Sequence, residues 1–134
     1  MITGKCKLCG KDNIDLCDSH IIPEFAYEPV YDSKHRFIDF SEDPKTCAHF
    51  EQKGIMEYLL CNGCETLLSK YENDLSGFIY NYNVTKNDVY PFSEFYSIIT
   101  NIKYDSVKLA ILSIIYRLAV SKFPQYDGYQ LDSY

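Results

Sequence analysis

The sequence predicts a small α+β domain stabilised by a zinc ion and ending in an apolar helix. Three observations carry this expectation. Four of the six cysteines stand in two identically spaced pairs, Cys6-x-x-Cys9 and Cys61-x-x-Cys64. Short β-compatible segments lie before the second pair, and a helical period follows it. A second helical stretch, far more apolar, lies near the C-terminus.

The cysteine pairs come first because their spacing is the sharpest signal. Two residues between thiols let both sulfurs reach one ion from a tight turn, and two such turns complete a tetrahedral Cys₄ zinc site. Cys6, Cys9, Cys61 and Cys64 are therefore the expected ligands of a structural Zn²⁺. Gly10 and Gly63 suit the tight backbone of such turns. Cys17 and Cys47 lack paired partners and read as core or incidental thiols.

Lys11-Asp12-Asn13 reads as a turn. Ile14 to Ile22 is apolar and β-compatible and stops at Pro23, which favours a short helical turn over Glu24 to Tyr27. His35 to Phe40 alternates like a strand, Ser41 to Pro44 is a loop, and Ile55 to Leu60 is another strand. Leu67 or Leu68, Tyr71, Leu75 and Phe78 then recur at helical intervals, predicting an amphipathic helix over Gly63 to about Tyr80. Asn81 to Pro91 reads as a polar linker. Asp105 or Ser106 caps a helix running to about Lys122. That helix is apolar around nearly its whole circumference, so it is expected to be buried centrally or covered by a partner, including a second copy in a homodimer. The organisation expected is a zinc-bearing core over residues 1–82 and a helical extension over residues 83–134.

The chain has 134 residues, 46% of them hydrophobic, the size and composition of one globular domain. No apolar run approaches the ~18 residues of a membrane span. The first ten residues carry lysines but no apolar stretch, so a cytoplasmic location is expected. Thirteen basic against nineteen acidic residues give a net charge of −6, which argues against a general nucleic-acid coat protein. Local basic groups remain at Lys5, Lys7 and Lys11, and at Lys34, His35 and Arg36. Solvated side chains are the plainer reading of both groups, and His35 and His49 carry no special signal.

The chemistry gathers around Asp18-Ser19-His20-Ile21-Ile22-Pro23 and the helix opened by Cys61-Asn62-Gly63-Cys64-Glu65. Glu65, Ser69 and Glu72 share one helical face. An imidazole at a strand end can take a proton from water near neutral pH, as phosphodiester hydrolysis requires. A carboxylate-bound Mg²⁺ or Mn²⁺ would stabilise the phosphoryl and leaving oxygens. Glu72 reads as a solvated or salt-bridged acid.

These motifs, in this order, resemble the HNH, or ββα-metal (His-Me finger), endonucleases carrying a zinc knuckle. They resemble more narrowly a bacterial branch with Ser-His-Ile-Ile-Pro-x-Phe, here Ser19 to Phe25, and Leu-Leu-Cys-x-x-Cys-Glu, here within Leu59 to Glu72. Leu112 to Arg117 resembles that branch's C-terminal helix. The resemblance implies a ββα-metal core, His20 as general base, and nucleic acid, chiefly DNA, as substrate. It implies a catalytic cation on Glu65, with Asp18 as a further ligand. The family places Asp or His before the base, where this chain has Ser19, and begins its helix Cys-His, where this chain has Cys64-Glu65. The central Asn has no clear counterpart around Gly54 to Glu57. Two functions follow as expectations: a metal-dependent endonuclease, or a catalytically degenerate zinc module that binds nucleic acid or protein.

Overall fold

The computed structural model describes residues 2–39, 47–80 and 88–129. Its elements run β1 Ile2–Gly4, β2 Ile14–His20, a 3₁₀ helix Glu24–Val30, β3 Phe37–Asp39, β4 His49–Glu51, β5 Met56–Cys61, α1 Asn62–Ile79, β6 Val89–Pro91, β7 Ser97–Ile99, α2 Tyr104–Val120 and a 3₁₀ helix Pro124–Tyr129. The class is mixed α+β. β1, β2 and β5 form an antiparallel sheet in that order, while β3–β4 and β6–β7 are separate two-stranded ribbons.

The β2–β5 register positions the rest. Leu16 faces Cys61 and Cys17 faces Leu60, but Asp18 faces Tyr58, so Leu59 is skipped. The extra residue turns Leu59 and Leu60 both into the core. The freed Leu59 carbonyl accepts the Lys7 N–H at 2.9 Å, tying the first cysteine turn to the strand that leads to the second. Cys61 ends β5 and is also the N-cap of α1, so strand passes to helix with no loop. Around this junction the core gathers Cys6, Ile21, Leu59, Leu60, Cys61, Cys64, Leu68 and Tyr126.

α2 lies against α1, and Tyr126 beyond it joins the same core, so the C-terminal part packs on the half of the chain that bears the cysteine pairs. Glu57 of β5 fixes the far end of α2, its Oε2 accepting the Ser121 hydroxyl at 2.9 Å and the Lys122 N–H at 3.0 Å.

The orientation of α2 departs from the all-round apolar helix expected. It turns Ala110, Ser113, Arg117 and Ala119 inward and leaves Leu109, Ile111, Leu112 and Ile115 between 42% and 51% exposed. The cause is Arg117, which is 1% exposed. Its Nη1 donates to the His20 carbonyl at 2.8 Å, its Nη2 to Glu72 Oε1, and its Nε to the Ser113 carbonyl at 3.4 Å. Small residues at 110 and 113 leave room for the guanidinium to reach across to α1 and β2.

Other boundaries move less. The strand expected to reach Ile22 ends at His20, although the Ile21 N–H still donates to the Ile55 carbonyl at 3.0 Å. The short helical turn extends to Val30 as 3₁₀ helix. β5 starts one residue later than expected and runs through Cys61, α1 starts at Asn62, and α2 runs from Tyr104 to Val120 rather than to Lys122. The strand expected over His35 to Phe40 is described as Phe37–Asp39; it starts late because His35 takes a left-handed φ of 56° in the turn before it, and Phe40 lies outside the described residues. The loop Ser41 to Pro44 and most of the linker, residues 81–87, lie outside the described residues. Val89–Pro91, at the end of that linker, is a strand paired with Ser97–Ile99. Among the described residues no helix is long and apolar enough to cross a membrane.

Candidate metal centre and polar cleft

Cys6 to Gly10 forms a closed turn. The Gly10 N–H donates to the Cys6 carbonyl at 3.0 Å, and Gly10 has φ +73°, a conformation that costs glycine little and other residues more. Gly63 has no such role: it lies in the first turn of α1 with open space where a Cβ would stand.

The two turns bring all four sulfurs within 4.8 Å of one another. Cys6 and Cys64 Sγ are 3.7 Å apart, and Cys9 and Cys61 Sγ are 3.8 Å apart. A tetrahedral ion with bonds of ~2.3 Å to sulfur requires edges of about 3.8 Å, the length of the Cys6–Cys64 and Cys9–Cys61 separations. All four are free thiols, with only Cys9 exposed. Burial opposes ionisation of Cys6, but the N–H groups of Cys9, Cys61 and Leu8 outweigh it and bring its pKa down to about 6. Burial, and hydrogen bonds to the other three cysteines, push Cys64 up. One ready thiolate beside crowded thiols is a set that a divalent cation stabilises by displacing protons. These four residues could hold a metal such as zinc. Cys17, half-buried, has its thiol pushed up by burial, and Cys47 is exposed.

His20 stands at the end of β2, away from the sulfurs, on a cleft of about 370 Å³ lined by His20, Glu24, His35, Gln52, Lys53 and Met56. Pro23 breaks the strand and the 3₁₀ helix brings Glu24 back beside it, with Glu24 Oε2 3.1 Å from His20 Nε2. Both atoms are shut off from solvent, and neither makes a hydrogen bond with acceptable geometry. Glu24 Oε1 accepts the Tyr31 hydroxyl at 2.5 Å and lies 3.4 Å from His35 Nε2.

His35 arrives through a turn built on Asp32. Asp32 Oδ1 accepts the N–H groups of Lys34 and Arg36 at 2.8 and 3.0 Å, while Oδ2 takes the Arg36 Nη2 at 2.7 Å. The Arg36 hydrogen bond holds the Asp32 carboxyl below its usual range. Arg36 is thus engaged by Asp32 and lies over the Phe50 ring, while the His35 ring stacks on Tyr31 at 3.8 Å.

Glu65 and Asp18 do not line this cleft. Glu65 occupies the first turn of α1, where a negative charge is favoured by the helix dipole, and its charge acts on Cys17 and Arg117. Its Oε1 is buried without a hydrogen-bond partner. Asp18 is exposed opposite Tyr58, two residues upstream of His20 on extended chain, or about 6.6 Å along the strand. Ser19 is buried, and its hydroxyl donates to the Cys17 carbonyl at 3.3 Å. Glu72 is the salt-bridge partner of Arg117.

Sequence reading missed Glu24, His35 and Lys53 as neighbours of His20, because no short spacing links them. The one available signal was Glu24 at four residues beyond His20, across a proline-made reversal. His49 pairs with Glu51 at 3.0 Å and is exposed. Comparison with protein-family models, with curated proteins and with solved structures finds no match for this chain.

Proposed function

We propose that this chain is a metal-dependent phosphodiester hydrolase of the HNH type, acting on nucleic acid, with His20 as general base. The observation that carries the reading is the His20 imidazole on a polar cleft, beside the Glu24 carboxylate, with Lys53 lining the same cleft and the cysteine cluster apart from it. The order β2, β5, α1, with the second cysteine pair at the strand–helix junction, agrees with the ββα arrangement that the sequence motifs imply.

In this reaction water attacks phosphorus and gives its proton to His20. The bond from phosphorus to the leaving oxygen breaks, and that oxygen takes a proton from solvent. Lys53 supplies positive charge to the phosphate, and a bound Mg²⁺ or Mn²⁺ would supply charge neutralisation for the phosphoryl and leaving oxygens. Supercoiled plasmid DNA incubated with the protein and Mn²⁺ should be nicked, and omission of the cation should stop the reaction. A single-stranded RNA in parallel identifies the preferred nucleic acid. Intact DNA and RNA with either cation would defeat the proposal.

The outward face of α2 favours a second reading, a zinc-held docking module. Leu109, Leu112 and Ile115, with Leu8, Leu68 and Tyr71, line an apolar groove of about 450 Å³. A homodimer through this face is the expected state. Light scattering should give twice the chain mass, and Ile115→Glu should return a monomer. A wild-type monomer would contradict the dimer.

A further inference from the structure

We propose that Glu24 and His35 are the protein ligands of the cleft's divalent cation, leaving His20 free beside it to accept a proton. The role of the cation rests on the hydrolytic reading above, but its binding does not.

The argument begins with the distances. Donor atoms bonded to one ion at ~2.1 Å stand roughly 3.0–3.4 Å apart in octahedral or tetrahedral arrangement. His35 Nε2 and Glu24 Oε1 are 3.4 Å apart, within this range, as is the 3.1 Å between His20 Nε2 and Glu24 Oε2; of the two imidazoles His35 is the more exposed and so the one open to an ion from solvent. Their surroundings hold both in place. The Tyr31 hydroxyl donates to the carboxylate and its ring stacks on His35. Such outer partners orient ligands in metal sites. The turn that carries His35 keeps it in a left-handed conformation that is uncommon outside glycine.

The division of roles follows from the third group. His20 meets the other oxygen, Glu24 Oε2, at 3.1 Å. Among the described residues, the four cysteines alone bring three or more ligand atoms within 4.8 Å of one another. Both imidazoles and the carboxylate therefore do not close on one point as they stand. An ion on the His35 side would draw Glu24 toward it and away from His20 Nε2, which is otherwise closed off from solvent against Glu24 Oε2. An imidazole with a carboxylate favours Mn²⁺ or Zn²⁺ over Mg²⁺.

The test uses the full chain with zinc already on the cysteines. Mn²⁺ is titrated in, without nucleic acid, and the free ion is followed by electron paramagnetic resonance. One Mn²⁺ per chain is expected. Glu24→Gln and His35→Ala should each weaken it by about tenfold or more, with zinc content and circular dichroism unchanged. His20→Ala should leave Mn²⁺ affinity unchanged. The proposal is overturned if the wild type binds no Mn²⁺, if Glu24→Gln and His35→Ala bind it as the wild type does, or if His20→Ala loses it as His35→Ala does. A wild type that holds Mn²⁺ through Glu24 and His35 yet cuts no nucleic acid upholds the site and defeats the hydrolytic reading alone.

Discussion

Cys61→Ser is expected to release zinc and unfold the chain. Three of the eight residues in the central cluster, Cys6, Cys61 and Cys64, belong to the four-sulfur set, so an ion held there would share one centre with the apolar core. Structural zinc contributes on the order of 10 kcal/mol in small zinc domains, against a total stability of about 5–15 kcal/mol for an ordinary domain. Losing one thiolate at the strand–helix junction therefore removes a term as large as the whole. Zinc content by mass spectrometry and thermal unfolding by circular dichroism are the measurements. The expectation is one zinc per wild-type chain, none in Cys61→Ser, and an unchanged value in Cys47→Ser, whose thiol is exposed. A wild-type protein that folds fully without metal would contradict the zinc assignment.

Arg117→Met is expected to cost about 3–5 kcal/mol, the usual penalty for removing one partner of a buried ion pair. The substitution leaves Glu72 without its cation and deprives the His20 and Ser113 carbonyls of their donors. Arg117→Lys should recover little, because an ammonium cannot reproduce the forked geometry. Combining Arg117→Met with Glu72→Leu should restore part of the loss, since an apolar pair carries no uncompensated charge. Denaturant midpoints on the three variants check this. Equal stability of Arg117→Met and wild type would mean that the buried guanidinium does not hold α2 to β2 and α1.

The parts legible in the sequence are those fixed by local geometry. The cysteine spacing is set by a five-residue turn, and the structure brings all four sulfurs together across more than fifty residues. Both long helices follow from periodicity, with ends displaced by no more than three residues, the largest shift being the cap of α2, which is Lys103 and not Asp105 or Ser106. The short strands were harder. β1, β3, β4, β6 and β7 have three residues each, too few to show a period of two, and four of the five lie in ribbons outside the main sheet. The facing of α2 was illegible for a different reason. Counting apolar residues cannot reveal that Ala110 and Ser113 clear a path for one buried arginine. The cleft was half legible. His20 was marked by its motif, but its neighbours reach it through Pro23, the 3₁₀ helix and the Asp32 turn. Glu65, adjacent to a zinc cysteine in sequence, lies instead on the side of Cys17 and Arg117.

The most direct test of the account compares nicking by wild type and His20→Ala at equal zinc content and equal Mn²⁺. Loss of a general base typically costs about 10² to 10⁴ in rate, and the side chain lies on an open cleft, so the fold should persist. The account predicts a wild type that nicks plasmid DNA and a folded, zinc-bearing His20→Ala that is slower by that factor. A His20→Ala protein that cuts as fast as the wild type would contradict it.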